Sequence, residues 1–318
     1  MHWLHPLRPG LVVLACVAGL SGCALGGLQG QGGVAGPVSG SVPSVAAAPW
    51  PARLQALLPA DVLLLGEKHD APDHQRLQRE AVQWLAARGE LAAVVLEMAE
   101  RGRTTAGLPR GATEAQVQEA LQWNNGAWPW QAYGPVVMAA VAAGVPVLGG
   151  NLPRSQMRAA MAEARWDDHL PPLALAQQYD ALREGHCGLL PESQIAPMAR
   201  IQIARDAALA QTAREAVRTG ATVLLIAGSG HVLRSLGVPT HWPADFKSKV
   251  VVAQAGKALG AMKKEADDVV ETPPLPPRDH CAELKAQWKS SAPQRQGSPA
   301  GPGVGTRANP TNPDPASR

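Results

Sequence analysis

Two short segments with matched spacing carry the most chemistry in this chain: Gly66-Glu67-Lys68-His69 and Gly228-Ser229-Gly230-His231. Each sets an imidazole three residues after a glycine. A neutral imidazole is both a hydrogen-bond partner and a metal ligand near neutral pH. Glycine accepts backbone shapes that other residues resist, so the spacing predicts a sharp turn of the chain ahead of each histidine. One such histidine alone reads equally as a cap or a satisfied core residue. The matched pair points to a shared site. Glu97 closes an otherwise apolar run and is expected to be buried. A buried carboxylate needs a partner or takes up a proton. Arg101, Arg205 and the histidines are the candidate partners, and a structural ion pair competes with a ligand role. His74 follows the first motif; a solvated helix start is its plainer reading.

Further polar groups stand elsewhere. His186 sits beside a thiol in Glu184-Gly185-His186-Cys187-Gly188 and reads either as a metal or haem ligand or as part of a helix stop. Gln202, Arg205 and Asp206 lie on the inner stretch of a long helical pattern, where they could pair with buried carboxylates. The segment Trp123 to Gly134 is dense in aromatics, which suit either a planar ligand or the core. The chain holds nine Trp but only two Tyr, Tyr133 and Tyr179. Tyr133 is singled out because a phenolate is a hard anionic ligand suited to ferric iron. No His-Glu-x-x-His helix is present, so the common zinc-protease pattern gives no support to hydrolysis.

The elements that must position these groups alternate. Apolar runs of strand length span 61–66, 93–97, 145–148, 222–227 and 249–253, with helical patterns over 72–88, 134–144 and 193–218. Asp70 is available to cap the first of these helices. Apolar strands alternating with helices predict an α/β fold: a mostly parallel central sheet with helices on both faces. In such sheets, ligands bind beyond the carboxyl ends of the strands. Glu67 and His69, Glu97, Asn151 and His231 follow four separate strands at that edge.

The ends of the chain read differently. Arg8 precedes a short apolar run from Leu11 to Leu20, too short for the roughly 20 residues of a bilayer span. A charged start, a short apolar stretch and small residues before a cut describe a secretory signal over 1–22. Leu20-Ser21-Gly22-Cys23 resembles the bacterial lipobox, which implies that Cys23 is lipidated and becomes the first mature residue. Ala24, a non-acidic neighbour, implies the outer membrane. Residues 23–50 read as a flexible Gly/Ser/Pro/Ala linker, 51–258 as the folded domain, and 259–318 as an extension that is largely disordered from about 291. The folded part, about 210 residues, is enough for one sizeable core. Net charge is +3 and is spread along the chain, with no basic stripe for nucleic acid. Cys187 and Cys281 could pair in an oxidising compartment or stay free.

Taken together, the motifs resemble the ChaN-like haem-binding lipoproteins of the Tiki and erythromycin-esterase-like superfamily. The carrying residues are Gly66-Glu67-Lys68-His69-Asp70 with His74, Leu96-Glu97-Met98, and Trp128, Trp130 and Tyr133. They continue with Gly150-Asn151-Leu152-Pro153-Arg154, His186-Cys187-Gly188, Gln202 with Arg205-Asp206, and Gly228-Ser229-Gly230-His231. The resemblance implies a non-enzymatic, envelope-facing haem binder in haem or iron acquisition, a homodimer on haem binding, and an outer-membrane haem receptor as partner. It also implies a tyrosine on iron with histidine nearby: Tyr133, or Tyr179 as fallback. His69, His74, His186, His231, Glu97, Asn151 and Arg205 would line the haem. The Tiki branch implies a different reading, a metallohydrolase holding a divalent ion such as Zn or Mn on His69 and His231 with Glu67 or Glu97 as base. A structural lipoprotein with a relic site is a third.

Overall fold

In the computed structural model, residues 48–258, 260 and 262–291 are described. The signal segment, Cys23, nearly all of the linker and the tail beyond 291 lie outside the described residues. The chain divides into two compact units, the first ending at Arg278 and the second starting at Asp279. Among the described residues of the second unit is one helix, α10 (His280–Ser291), which carries the disulfide-bonded Cys281. Among the described residues, no helix is long and apolar enough to cross a membrane.

The first unit runs α1 (Trp50–Leu57), β1 (Val62–Glu67), α2 (Pro72–Ala87), β2 (Leu91–Glu100), α3 (Glu114–Leu121), α4 (Trp130–Ala142), β3 (Val147–Asn151), α5 (Arg154–Ala162), α6 (Pro172–Gly185), α7 (Ile195–Ala216), β4 (Thr222–Gly228), α8 (Ser229–Val232), β5 (Ser248–Ala255), α9 (Met262–Glu265) and β6 (Asp268–Thr272). The strands form one sheet in the order β3-β2-β4-β1-β5-β6, every neighbouring pair parallel. The fold is α/β, as expected, and all six carboxyl ends point to one edge.

Both faces of the sheet are covered, and strand alternation sorts the core accordingly. Leu63, Leu65 and Leu96 face the layer built with α1, α2 and α4, where Leu54, Leu85 and Val137 are buried. Val62, Leu64 and Leu225 face the opposite layer, against Leu209 and Ala213 of α7 and Trp242. Burial on both sides explains why these strands read as unbroken apolar runs.

Several expectations change. The sheet does not stop at 258: β6 adds a sixth strand, which its flanking acidic residues and prolines hid in the sequence. Helix α1 begins at Trp50, one residue inside the expected linker. Helix α4 starts at Trp130 rather than Gly134, and this puts Tyr133 on its first turn. Asp70 does not cap α2; Ala71 holds that place without a side-chain bond, and Pro72 opens the helix with its pre-set backbone.

Candidate functional site

Strand β1 ends at Glu67 and β4 at Gly228, and the two residues are level across the sheet. Glu67 is buried and receives four donors. Tyr133 donates its hydroxyl to Oε1 at 2.6 Å, and His69 Nδ1 lies 2.7 Å from the same oxygen. The amides of Gln75 and Gln78 donate to Oε2 at 2.8 and 2.6 Å. Such full satisfaction is what keeps a carboxylate in a dry interior.

Glu97, from β2, is the second buried anion. Its Oε2 accepts from the Gly228 amide at 2.8 Å and stands 3.7 Å from His69 Nε2, while Oε1 is 3.4 Å from His231 Nε2. His231 turns its other nitrogen to Asp206 of α7, at 2.6 Å. The structure therefore brings both motif histidines onto the two oxygens of one carboxylate. Across the cluster, three carboxylates (Glu67, Glu97, Asp206) face two imidazoles and the buried Arg205 guanidinium.

The electrostatics follow. Burial would push His231 down, but Glu97 and Asp206 outweigh it and raise the imidazole to about 10. Burial lifts Asp206 to about 6 against the pull of His231. Burial would likewise raise Glu97, yet His231, His69 and the Gly228 amide hold it well below the usual carboxylate range. His69 is raised, because the bond to Glu67 and the charge of Glu97 overcome its burial. Tyr133 is pushed far up by burial and by Glu67, so its phenol stays protonated. The cluster stores protons on imidazoles and lodges negative charge between them.

The two motif glycines are needed for space. Neither has a left-handed backbone. A Cβ on Gly228 would stand 2.9 Å from His69 Nε2, and one on Gly66 would stand 2.4 Å from Val232 Cγ2. The expected sharp turns give way to close approach.

The other expected site residues divide. Asn151 donates to the Glu97 carbonyl at 2.8 Å, and its own carbonyl oxygen is buried without a partner. Arg205 is buried near Glu97 and Asp206, with Nε unpartnered. His74 is structural: it accepts from the Lys68 amide at 2.9 Å and meets Thr272 Oγ1 at 3.1 Å, and burial lowers it. His186 bonds the Leu182 carbonyl at 2.8 Å on the last turn of α6 and makes no bond to the cluster. Arg101 pairs with Glu215 instead of Glu97. Tyr179 packs in an apolar cluster with Leu182 and Met198. Tyr133 sits 3.2 Å from His69 Nδ1, but it is only 2% exposed and committed to Glu67. It is a buried donor here rather than an open phenolate.

Gln75 and Gln78 escaped the sequence reading. They continue the buried stripe of α2, three and six residues ahead of Ala81, and polar residues in that phase were the available signal. His69 has its side chain 10% exposed, with Trp128 edge-on at 4.8 Å between ring centroids. Beside it lies a cavity of about 610 Å³ lined by Glu67, Lys68, Ser229 and the proline-rich strap 274–277. That size is in the range of small-molecule pockets.

A parallel sheet whose carboxyl edge holds a buried carboxylate–imidazole cluster beside a cavity defines an α/β ligand-binding domain. The chain belongs to the family described as haem-binding uptake, Tiki superfamily, ChaN, whose model matches residues 53–241. Among solved structures it is similar to ChaN of Campylobacter jejuni, described as showing cofacial heme binding, with 26% identity over 69% of this chain and 89% of that one and a TM-score of 0.58. The match to a Bacillus cereus protein, at 12% identity over 68% of this chain and 72% of that one, has a TM-score of 0.34. No curated protein matches the chain.

Proposed function

We propose that this chain binds haem at the carboxyl edge of its sheet and acts in haem or iron acquisition, held at the outer membrane by a lipid on Cys23. The observation that supports it most is the family match, whose span of 53–241 takes in both Gly-x-x-His motifs and the cluster they build. The residues fit such a ligand in kind. Trp128 offers an aromatic ring and His69 an imidazole at the carboxyl edge, and the cavity that starts at Glu67 is lined by the cation Lys68, 3.7 Å from Asp70. Haem would supply a ferric iron that needs one ligand atom. Tyr133, which donates to Glu67 at 2.6 Å, reaches iron only by leaving it; His69 can keep Nδ1 on Glu67, and would give iron only Nε2, 3.7 Å from Glu97, in its neutral form. We therefore assign iron to His69 and a positioning role to Tyr133, which holds Glu67 and through it the His69 ring.

An absorbance titration of the mature chain, residues 24–318, with haemin tests the reading. A saturable, shifted Soret band is expected, and its absence at stoichiometric haemin removes the proposal. His69→Ala should alter the ferric spectrum. Tyrosinate charge-transfer bands lost in Tyr133→Phe return the ligand to Tyr133, and their loss in Tyr179→Phe moves it there. Two haems face to face would require a homodimer, seen as a haem-dependent doubling of mass. Cys23→Ala should abolish palmitate labelling; continued labelling removes the anchor. An outer-membrane haem receptor is the proposed partner.

The divalent-metal alternative gains no support. Among the described residues, no three His, Cys, Asp or Glu side chains are placed to hold an ion. His231 has both ring nitrogens turned to carboxylates, Nδ1 at 2.6 Å from Asp206 and Nε2 at 3.4 Å from Glu97.

A further inference from the structure

A second cavity, of about 1050 Å³, lies along the β3 edge of the sheet, apart from the residues of the carboxylate–imidazole cluster. Its origin is legible in the helices. Helices α5 and α7 present Ala159, Ala160, Ala204, Ala207 and Ala208 to it, and these short side chains set the groove's floor on the packed cluster of Leu152, Ala160, Ala204 and Ala208. Leu148 and Leu152 extend the apolar wall. Ala204 to Ala216 both line it, which gives a groove of about 18 Å along α7 at 1.5 Å per residue.

The rest of the lining is polar: Gln156, Gln211, Glu163 and Glu215 share it with four arginines, Arg101, Arg103, Arg165 and Arg218. Two are neutralised. Arg101 is clamped by Gln211 at 2.7 Å and Glu215 at 3.0 Å, and Arg165 pairs with Glu163 at 2.5 Å while lying over the Trp166 ring. Among the described residues, no carboxylate pairs with Arg103 or Arg218. The wall also holds an unmet donor, because the indole nitrogen of Trp166 is shielded from solvent and has no acceptor. Arg103 lies beside Gly149 near the carboxyl end of β3, and Arg218 precedes the amino end of β4. These two arginines thus stand toward opposite ends of a groove with an alanine floor and polar rims.

We propose that this groove binds an elongated amphipathic anion: an acyl chain carrying a carboxylate or phosphate head. The alanine-lined floor takes the chain, and one of the two unpaired arginines takes the head. This inference is independent of the haem reading, since no residue of the groove belongs to the Glu67–Glu97 cluster.

The test titrates the full mature chain with a fluorescent polyunsaturated fatty acid, and with lysophosphatidic acid as competitor to separate carboxylate from phosphate heads. Saturable binding is expected. Arg103→Gln or Arg218→Gln should weaken it at least about tenfold, as fits loss of one charge-assisted bond, and the sensitive position marks the headgroup end. Ala207→Trp, which fills the groove from a half-exposed position, should abolish it. All three variants should keep the haemin titration of the parent. No saturable binding, or affinity unchanged in both arginine variants, overturns the proposal. So does one-for-one displacement of the fatty acid by haemin, which would make the groove the haem's own subsite. Should Ala207→Trp fail to fold, the surface arginine variants still decide.

Discussion

The two Gly-x-x-His segments share a spacing and meet at one carboxylate, yet they do different work. His231 is locked from both sides, by Asp206 at 2.6 Å and Glu97 at 3.4 Å, and is nearly closed to solvent. His69 is tied at Nδ1 by Glu67 and meets Trp128 edge-on, with its side chain about as closed as that of His231, 10% against 8% exposed. The difference comes from what packs against each. Helix α7 delivers an acid to His231. Helices α2 and α4 deliver donors to Glu67 instead, so that the acid nearest His69 is already shared with a phenol and two amides. One imidazole is held between two acids, the other between an acid and an aromatic ring.

The largest effect should come from breaking the Asp206–His231 pair. Asp206→Ala leaves the His231 imidazolium short of one buried counter-charge, and a loss of about 3–5 kcal/mol is expected in chemical denaturation. A loss under about 1 kcal/mol would erase the distinction between the motifs.

Next comes pH. His231 is raised from 6.5 to about 10, so its contribution to stability is complete below about 6.5 and is lost as pH rises toward 10. Asp206, raised to about 6, changes in the same direction at lower pH. Unfolding free energy should fall by a few kcal/mol between pH 6 and 10, and His231→Gln should flatten that slope. A slope equally flattened by His69→Gln would make the two histidines equivalent.

Gly228→Ala should cost about 1–3 kcal/mol, because its methyl group would press on His69 Nε2 at 2.9 Å. The same change should perturb the haemin spectrum by shifting His69, while the His231 proton resonances stay in place. The smallest effect is Tyr133→Phe, about 1 kcal/mol in stability, since Glu67 keeps three of its donors.

Much of the fold was legible. The apolar runs at 62–67, 91–100 and 222–228 are buried along nearly their whole lengths, and such runs between helical patterns dictate a parallel sheet. Helix α3 was readable but missed: Thr113 and Gln116 form a capping box ahead of it. Strand β6 was not readable with ease, because Val269 and Val270 are too short a run to stand out between acids. In the site, Glu67, His69, Glu97 and His231 were visible because each ends or follows an apolar strand. Asp206 was seen on α7 without its partner, and Gln75 and Gln78 not at all, since polar residues on a helix read first as its wet face.

The sequence by itself determined the parallel sheet, the edge at which its chemistry gathers, and the residue types available there, because periodicity and strand burial are local properties of the chain. Only the tertiary structure decided which partner each side chain meets. Parallel strands distant in sequence set Glu67 level with Gly228, and helix packing chose Asp206 for His231 and Tyr133 for Glu67. The two side-chain contacts join residues 25 and 66 positions apart, and no local pattern encodes a hydrogen bond whose two ends are brought together only by the folded core.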